Sequence, residues 1–342
     1  MNSLFQEIEM KANDLSFFGV ISIYKSNKEL FNKAFGLSDI ANKRVNTPAT
    51  KFGIASGTKL FTALGIGKLI NEGAIDFNTP IHEIFQSNLT WIDEKATIHH
   101  LLTHTSGIHD YYDEDIITDF DNFFVDIPWY QLETPSDYLP LFSKHPYKFK
   151  AGERFSYSNG GYICLGIIIE KISQKLYREF IQKEIFEPTG MHESGFYAFN
   201  QLPENTAYGY KLNQMGVWAT NIYNLPIRGA SDGGAYTTTY DINRLWTSLT
   251  TNQLLSEELT EKFLTPQVYI RKSLDYGYGL YLSQIEGKRV FIINGSDCGV
   301  GFESRYYPDS ELTINIFSNI TDGEVEMVKY IFDQFPIDEF EE

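Results

Sequence analysis

The sequence predicts an α+β fold in which strands from both ends of the chain form one antiparallel sheet, flanked by helices, with a mainly helical domain inserted. Residues 17–35 and the segment after Pro266 have the short apolar patterns of strands, whereas the residues between them have mostly helical spacing. A chain of 342 residues can form one large domain or two joined ones. We therefore expect residues 1–50 and 266–342 to form a discontinuous α/β sheet domain, residues 51–265 to form the inserted domain, and a cleft to lie between them.

The first elements are a helix and a pair of strands. Residues 4–12 have amphipathic helical spacing. Residues 17–24 and 29–35 are apolar runs joined by the polar segment 25–28, which predicts two strands and a turn. The chain then reaches a further helical pattern near Ser56.

The middle of the chain has the clearest helical patterns, and its last part returns to strands. Helical spacing predicts helices at residues 160–173, 177–186, 240–250 and 256–264. Beyond Pro266, apolar runs on either side of turn residues predict strands at residues 278–284, 289–293, 302–307 and 312–318. A last amphipathic pattern predicts a helix at residues 324–335.

Composition and charge exclude several classes of function. The formal net charge of −17 opposes binding to nucleic acid or to anionic membranes, which need basic surfaces. Two cysteines, Cys164 and Cys298, are too few for a disulfide framework. The longest apolar run, at residues 163–169, is too short to cross a bilayer, and the first residues lack the pattern of a secretion signal. We expect a cytoplasmic protein.

The first candidate for catalysis is the pair Ser56 and Lys59. Positions i and i+3 share one face of a helix, so the hydroxyl and the amine can meet. Ser56 falls at the predicted helix start, where free N–H groups and the positive end of the helix dipole favour an oxyanion and disfavour an ammonium. By itself a Ser-x-x-Lys spacing is common, and Ser is also a frequent helix cap.

Two further polar segments lie where loops meet regular elements. The triplet Tyr157-Ser158-Asn159 follows a turn and precedes a buried helical pattern, a position from which side chains project into clefts. Gly295 and Ser296 follow a predicted strand, and glycine there permits the close approach of a ligand. As purely structural features, the triplet would be a packed aromatic with a helix cap, and the second segment a turn.

Two other motifs are not expected to carry chemistry. Residues 229–233 match Gly-x-Ser-x-Gly, but the hydrolase fold that uses this motif needs a histidine after its serine, and the last histidine of the chain is His192. His100 and His104 stand at i and i+4 but lack the H-E-x-x-H pattern and an evident third ligand, so we interpret them as structural. We expect neither a metal nor a cofactor.

Taken together, these segments resemble the serine β-lactamase and penicillin-binding protein superfamily, and within it the class C β-lactamase, DD-peptidase and esterase branch. The resemblance covers residues 36–309 and rests on the strings FGIASGTK (52–59), LLTHTSGI (101–108), FSYSNGGY (155–162), GGAY (233–236) and YGYGL (276–280). It implies a β-lactamase/DD-peptidase-like fold. It also implies a serine hydrolase that cleaves an amide or ester of a small molecule or short peptide through an acyl-enzyme. The alternative is a penicillin-binding or sensor protein that acylates with little turnover.

The resemblance also implies roles for individual residues. Ser56 would be the nucleophile, Lys59 the group that helps to remove its proton, and Tyr157 a second base that protonates the leaving group and activates water. Asn159 would hold the substrate amide and Lys59, and the N–H groups of Ser56 and Ser296 would form the oxyanion hole. Free lysine and tyrosine titrate near ~10, so we expect a lowered pKa for both Lys59 and Tyr157.

The third motif departs from the family pattern. The family usually has Lys or His two positions before the glycine of this motif. If Gly295 is the match, Ile293 occupies that place; an alternative register puts Asn294 there. Neither residue is a cation, so recognition of a substrate carboxylate would need an arginine from elsewhere, from Arg228, Arg271 or Arg305.

Overall fold

The computed structural model describes residues 2–85, 90–114, 116, 117, 119 and 123–340. Its strands, in chain order, are β1 (Gly19–Lys25), β2 (Lys28–Phe35), β3 (Leu37–Asp39), β4 (Arg44–Val45), β5 (Phe52–Gly53), β6 (Tyr210–Leu212), β7 (Trp218–Thr220), β8 (Tyr236–Thr237), β9 (Val268–Arg271), β10 (Leu274–Tyr276), β11 (Tyr281–Ile285), β12 (Lys288–Asp297), β13 (Val300–Tyr307) and β14 (Leu312–Ser318).

Its α-helices are α1 (Asn2–Asp14), α2 (Thr58–Asn71), α3 (Ile81–Phe85), α4 (Ile98–Leu102), α5 (Leu139–Phe142), α6 (Asn159–Ser173), α7 (Tyr177–Ile181), α8 (Glu187–Thr189), α9 (Thr239–Thr250), α10 (Glu257–Phe263) and α11 (Val325–Gln334). A π-helical turn at Gln182–Phe186 links α7 to α8, and 3₁₀ turns lie at Ala55–Gly57, Trp129–Gln131, Pro135–Tyr138 and Ile337–Phe340. Among the described helices, none combines the length and the apolar character needed to cross a bilayer.

The largest sheet joins the two ends of the chain. Within the described residues it has eight strands in the order β2-β1-β14-β13-β12-β11-β10-β9. β14 pairs antiparallel with β1, with Gly19 opposite Ser318, and with β13 on its other side. The predicted fold class, an α+β protein with an antiparallel sheet built from both ends, is confirmed.

Helices cover both faces of this sheet. Along β14, Ile314 and Ile316 face a core shared with α1 and α11, whereas Phe317 faces a larger core shared with α2 and α6. Successive side chains of a strand point to opposite faces, so a strand covered on both sides buries both sets of side chains. Every residue of β14 is accordingly buried, including the polar Asn315, which is hydrogen-bonded to Ser22 and Ser304.

The helix α2 forms the centre of the larger core. Its apolar residues are buried around nearly the whole circumference, as expected for a helix surrounded by other elements. It packs against α6, and a methyl group on Gly65 would meet the side chains of Ile169 and Ile181 at about 3 Å, so small residues permit this close approach. α2 and α6 therefore form a rigid base for the residues at their N-terminal ends.

The strands that the sequence did not predict are short or irregular. The pairs β3-β4, β5-β8 and β6-β7 have two or three residues in each strand, too few to show an alternating pattern. β9 and β10 at the sheet edge were also missed, and the predicted helix at residues 177–186 is α7 followed by the π-helical turn. The domain boundaries near residues 50 and 266 stay a prediction.

Candidate active site

Ser56 lies in the 3₁₀ turn Ala55–Gly57, immediately before α2. Such turns are frequent at helix N-termini, and this one places the serine slightly ahead of the predicted helix start. The preceding residue, Ala55, has a φ of 43°, a left-handed conformation that is costly for alanine and is retained because the surrounding structure imposes it. Ser56 is half-buried and lines a cavity of about 500 Å³.

Lys59 lies on the first turn of α2 and is fully buried. Its Nζ atom donates to Ser56 Oγ at 3.0 Å, to Asn159 Oδ1 at 2.7 Å and to the Asp232 carbonyl oxygen at 2.6 Å. Burial lowers the pKa of Lys59, against the opposing effect of nearby carboxylates, of which Asp232 is the strongest. The predicted contact of Ser56 and Lys59 is therefore present, and the pKa of Lys59 shifts in the expected direction.

Tyr157 lies in the loop before α6 and is placed beside Ser56 and Lys59. Its hydroxyl interacts with the Ser56 side chain, an interaction that by itself would lower the pKa of Tyr157, and the centre of its ring lies 4.8 Å from Lys59 Nζ. Burial raises the pKa of Tyr157 well above its ordinary value. The expected lowering of this pKa is wrong, because the phenol is removed from water while its charged neighbours do not compensate, so Tyr157 stays protonated.

Asn159, the first residue of α6, acts as a bridge. Its Oδ1 accepts from Lys59, while its Nδ2 donates to Asp110 Oδ2 at 3.2 Å and to the Tyr112 carbonyl oxygen at 3.1 Å. Since an amide has one acceptor and two N–H hydrogens, each of its groups has a protein partner. The expected contact with Lys59 is present; a contact of Asn159 with the substrate amide stays a prediction.

The third segment is the end of β12. A methyl group on Gly295 would lie 2.6 Å from the Ser56 nitrogen, so this glycine packs against the turn that carries the nucleophile. Ile293, two residues earlier, is buried in the larger core. The pairing of β11 with β12 ends at Ile292, and β12 continues to Asp297 along the wall of the cavity. This geometry favours the register in which Gly295 is the motif glycine, and it places Ser296 beside the cavity.

The cavity is strongly acidic. Its described lining includes four carboxylates and neither Lys nor Arg; the carboxylates are Glu114, Asp119, Asp297 and Asp322. Burial raises the pKa of Asp297 to about 7, and hydrogen bonds from the Cys298 N–H and the Tyr112 hydroxyl oppose that rise. Of the three arginines considered from the sequence, Arg228 lines a neighbouring cavity of about 80 Å³, which shares Asp297 with this one. Arg305 pairs with Glu303, and Arg271 ends strand β9.

Two residues that sequence reasoning did not identify complete the site. Asp110 accepts the backbone N–H groups of Asn159 at 2.6 Å and of Gly160 at 3.1 Å, and so holds the start of α6. Burial raises its pKa to about 7. Asp232 supplies the carbonyl that binds Lys59, and its carboxylate accepts from the Tyr111 hydroxyl at 2.5 Å. Nothing in the sequence singles out Asp110, whereas Asp232 lies inside the dismissed Gly-x-Ser-x-Gly match.

The two dismissed motifs have structural roles. Ser231 is completely buried, and its carbonyl accepts from Thr62, so it faces the core and not the cavity. His100 Nδ1 contacts Thr97 at the start of α4, whereas His104 contacts Ser158 and Tyr276, so the two histidines have separate partners.

Comparison with known proteins supports the predicted fold and family. A solved structure of a penicillin-binding protein from Bacillus halodurans superposes with a TM-score of 0.90 at 39% identity, covering 96% of this chain and 100% of that one. Penicillin-binding protein 4* of Bacillus subtilis is 28% identical over 89% of this chain and 68% of its own length. D-amino acid amidase from Ochrobactrum anthropi, at 21% identity and a TM-score of 0.81 over 97% of both chains, shares the fold.

Another set of relatives is longer than this chain. Protein flp of Staphylococcus aureus is 33% identical over 196 residues, which are 56% of this chain and 37% of that protein. The alignment therefore spans little more than a third of the relative's length. The family model described as Beta-lactamase matches residues 13–333, which confirms the resemblance seen in the sequence, and the chain belongs to the Beta-lactamase family.

Proposed function

We propose that this chain is a serine hydrolase that cleaves an amide or ester through an acyl-enzyme on Ser56. The observation that carries the proposal is the contact of Lys59 Nζ with Ser56 Oγ at 3.0 Å, inside a buried network that opens on a cavity. Nucleophile, base and orienting groups within hydrogen-bond reach are the recurring pattern of this chemistry.

The partners of Lys59 explain how Ser56 would be activated. Two of the three, the Asn159 Oδ1 and the Asp232 carbonyl oxygen, can only accept hydrogen bonds, so they hold two N–H groups of the amine. The third, the Ser56 hydroxyl, can accept or donate. When Lys59 loses a proton, its lone pair therefore points at Ser56, and the amine can take the hydroxyl proton as the oxygen attacks a carbonyl.

Tyr157 would serve the second proton transfer. Its raised pKa keeps it a phenol, and its hydroxyl interacts with the Ser56 side chain. A phenol in that position can donate its proton to the departing amine or alcohol and recover one from the Lys59 ammonium. In hydrolysis of the acyl-enzyme the same groups would act in reverse and remove a proton from water.

The N–H groups of Ser56 and Ser296 would bind the oxyanion. Because position 295 is a glycine, the backbone of β12 can pack directly against the backbone of the 3₁₀ turn that carries Ser56. Backbone N–H donors placed in this way stabilise the tetrahedral intermediate, and removal of one such donor costs about 10²–10³ in rate.

The acidic cavity indicates the class of substrate. A carboxylate in the substrate would face like charges there, whereas an ammonium group would meet opposite ones. We therefore propose a small molecule or short peptide whose amide or ester lies near a free amino group, processed by an amidase, aminopeptidase or esterase activity. The cavity of about 500 Å³ is in the usual range for small-molecule sites.

The second candidate function is a penicillin-binding or sensor protein that forms the acyl-enzyme and hydrolyses it slowly. Two relatives carry the name penicillin-binding protein, which favours this candidate. Both functions need Ser56 to become acylated, and they differ in the lifetime of the adduct.

Mass spectrometry after mixing the protein with a β-lactam or a fluorophosphonate tests both candidates. A β-lactam adduct that decays supports the hydrolase, a persistent one supports the binding protein, and the absence of an adduct with either reagent would contradict both. Ser56→Ala is expected to abolish labelling. Ser231→Ala, which alters the buried serine of the dismissed motif, is the matched control and should label as the unchanged protein does.

A further inference from the structure

His104 lies in the segment that follows α4 and is buried, with 1% of its surface exposed. It does not line the cavity and has no part in the proton transfers described above. Its ring is stacked on Tyr157, with ring centres 4.3 Å apart and planes inclined by 30°. The phenol proposed to carry protons therefore rests on this histidine.

The hydrogen bonds of His104 surround the same tyrosine. Its Nδ1 accepts the N–H of Ser158 at 3.0 Å, and its backbone carbonyl accepts the N–H of Ser156 at 2.9 Å. His104 thus holds the peptide group that follows Tyr157 and, one residue before the tyrosine, the peptide group that joins Phe155 to Ser156. Because Nδ1 accepts, the ring hydrogen lies on Nε2, which faces the Tyr276 hydroxyl at 3.1 Å.

The backbone and surroundings of His104 fit this arrangement. Its φ of 57° is left-handed, a conformation that non-glycine residues seldom adopt unless the surrounding structure requires it. Burial and the charge of Lys59 lower its pKa well below the ordinary value, so the ring is neutral. The titratable groups around it are Lys59 and three tyrosines, Tyr157, Tyr162 and Tyr276.

We propose that His104 is a positioning residue of the reaction, which holds the Tyr157 hydroxyl near Ser56 by binding the N–H groups of Ser156 and Ser158 and by stacking on the ring. This inference rests on the proposed function. A displacement of about 1 Å in a catalytic group can cost about 10² in rate, so the loss of these contacts should lower kcat while leaving KM nearly unchanged.

Three substitutions separate the contacts. His104→Gln keeps a donor near the position of Nε2 but loses the acceptor for Ser158, so kcat should fall by about 10². His104→Asn keeps an acceptor near the position of Nδ1, and asparagine tolerates the left-handed backbone, so it should recover much of that loss. His100→Gln is the matched control. His100 lies away from the site, where its Nδ1 accepts the N–H of Thr97 with a donor–acceptor distance of 3.1 Å, so this substitution should leave kcat unchanged.

The decisive measurement is a double-mutant cycle with Tyr157→Phe, using kcat for a 4-nitrophenyl ester. If His104 acts through the Tyr157 hydroxyl, His104→Gln should cause little further loss once that hydroxyl is absent. Losses that multiply in the double variant would overturn the inference. If His104→Gln does not fold, Tyr276→Phe is used instead, because it removes the hydroxyl that contacts His104 Nε2. We expect it to lower kcat by a smaller factor, and to have no effect on kcat in the Tyr157→Phe protein. A decrease in kcat that remains in the Tyr157→Phe protein would overturn the inference.

The two proposals fail in different ways. Ester hydrolysis that persists in the Ser56→Ala variant would contradict the proposed function. A protein that needs Ser56 but shows independent effects of His104 and Tyr157 would contradict only the positioning role.

Discussion

Gly295 and Ser56 meet backbone to backbone. A methyl group on Gly295 would lie 2.6 Å from the Ser56 nitrogen and 2.3 Å from the Ile54 carbonyl oxygen, closer than such atoms approach in proteins. The two chain segments are 239 positions apart in sequence, so the contact is made by the packing of β12 of the sheet against the turn that precedes α2. The proposed oxyanion hole is therefore a product of tertiary packing.

The first prediction is that Gly295→Ala lowers kcat by about 10² or more, because the methyl group must push β12 away from the Ser56 N–H. Steady-state hydrolysis of a 4-nitrophenyl ester measures this effect. Gly287→Ala is the control, since a methyl group there meets no atom within 4 Å although the φ of 80° still makes alanine costly. If the Gly295→Ala variant keeps half of the kcat of the unsubstituted protein, the proposed oxyanion hole is contradicted.

The second prediction concerns the acid limb of the pH profile. For an uncharged ester, kcat/KM should rise with pH as Lys59 loses its proton and reach a plateau below pH ~10, because burial lowers the pKa of Lys59. Tyr157 should add no alkaline limb in that range, because burial raises its pKa. Activity that climbs without a plateau to pH 10 would contradict a lowered Lys59 pKa.

Lys59→Arg tests the same assignment. Arginine keeps the positive charge but cannot be deprotonated in proteins, so the loss of the general base should cost about 10²–10⁴ in kcat. Lys68→Arg, near the end of the same helix, is the matched control and should retain full activity.

Local features of the sequence identified Ser56, Lys59 and Tyr157 as candidates, and the resemblance to the family implied their roles. The spacing of Ser56 and Lys59 is a property of one helical turn, and Ser158, next to Tyr157, caps α6 by accepting the N–H of Gly161 at 3.0 Å. Strands of seven or eight residues were found from their apolar runs for the same reason. In each case the determining contacts lie within a few positions along the chain.

The residues that tune the site could not be predicted in this way. Asp110 reaches Asn159 across 49 positions, and the Asp232 carbonyl reaches Lys59 across 173. The pKa of Tyr157 was predicted in the wrong direction because it depends on how completely neighbouring elements exclude water, which no local pattern reports. The negative charge of the cavity likewise arises from residues as far apart as Glu114 and Asp322.

The third prediction ranks three matched substrates by the charge of the acyl group. The 4-nitrophenyl esters of 4-aminobutyrate, butyrate and succinate should follow the order cationic, neutral, anionic in kcat/KM, since the cavity carries four carboxylates. A charge-assisted hydrogen bond contributes about 1.5–3 kcal/mol, so at least a tenfold step between successive substrates is expected. Nitrocefin, which bears a carboxylate, should be slower than the butyrate ester. Preference for the succinate ester or for nitrocefin would contradict the proposed substrate class.

The fourth prediction assigns part of this preference to Asp297. Its pKa of about 7 means that it becomes neutral as the pH falls below that value. The ratio of kcat/KM for the cationic ester to that for the neutral ester should therefore fall between pH 8 and pH 6, whereas the Lys59 limb cancels in the ratio. Asp297→Asn should make the ratio low and independent of pH. Asp14→Asn, an exposed residue of α1, is the control, and an Asp297→Asn protein with the original ratio would exclude this role.

The last prediction concerns stability and Glu324. Its Oε2 atom is buried against β13 and has no hydrogen-bond partner among the described residues, and burial raises the pKa of this carboxyl to about 8. Unfolded glutamate titrates near ~4.3, so between these two values the folded protein holds a proton that the unfolded chain has lost. The free energy of unfolding therefore falls as pH rises through that window, by at most about 1.4 kcal/mol per pH unit from this group.

Glu324→Gln, which is neutral at every pH, should remove this decline, so urea unfolding should show a larger gain in stability at pH 8 than at pH 5. Glu326→Gln, an exposed change on α11, is the matched control, and a gain that is the same at both pH values would contradict the buried proton.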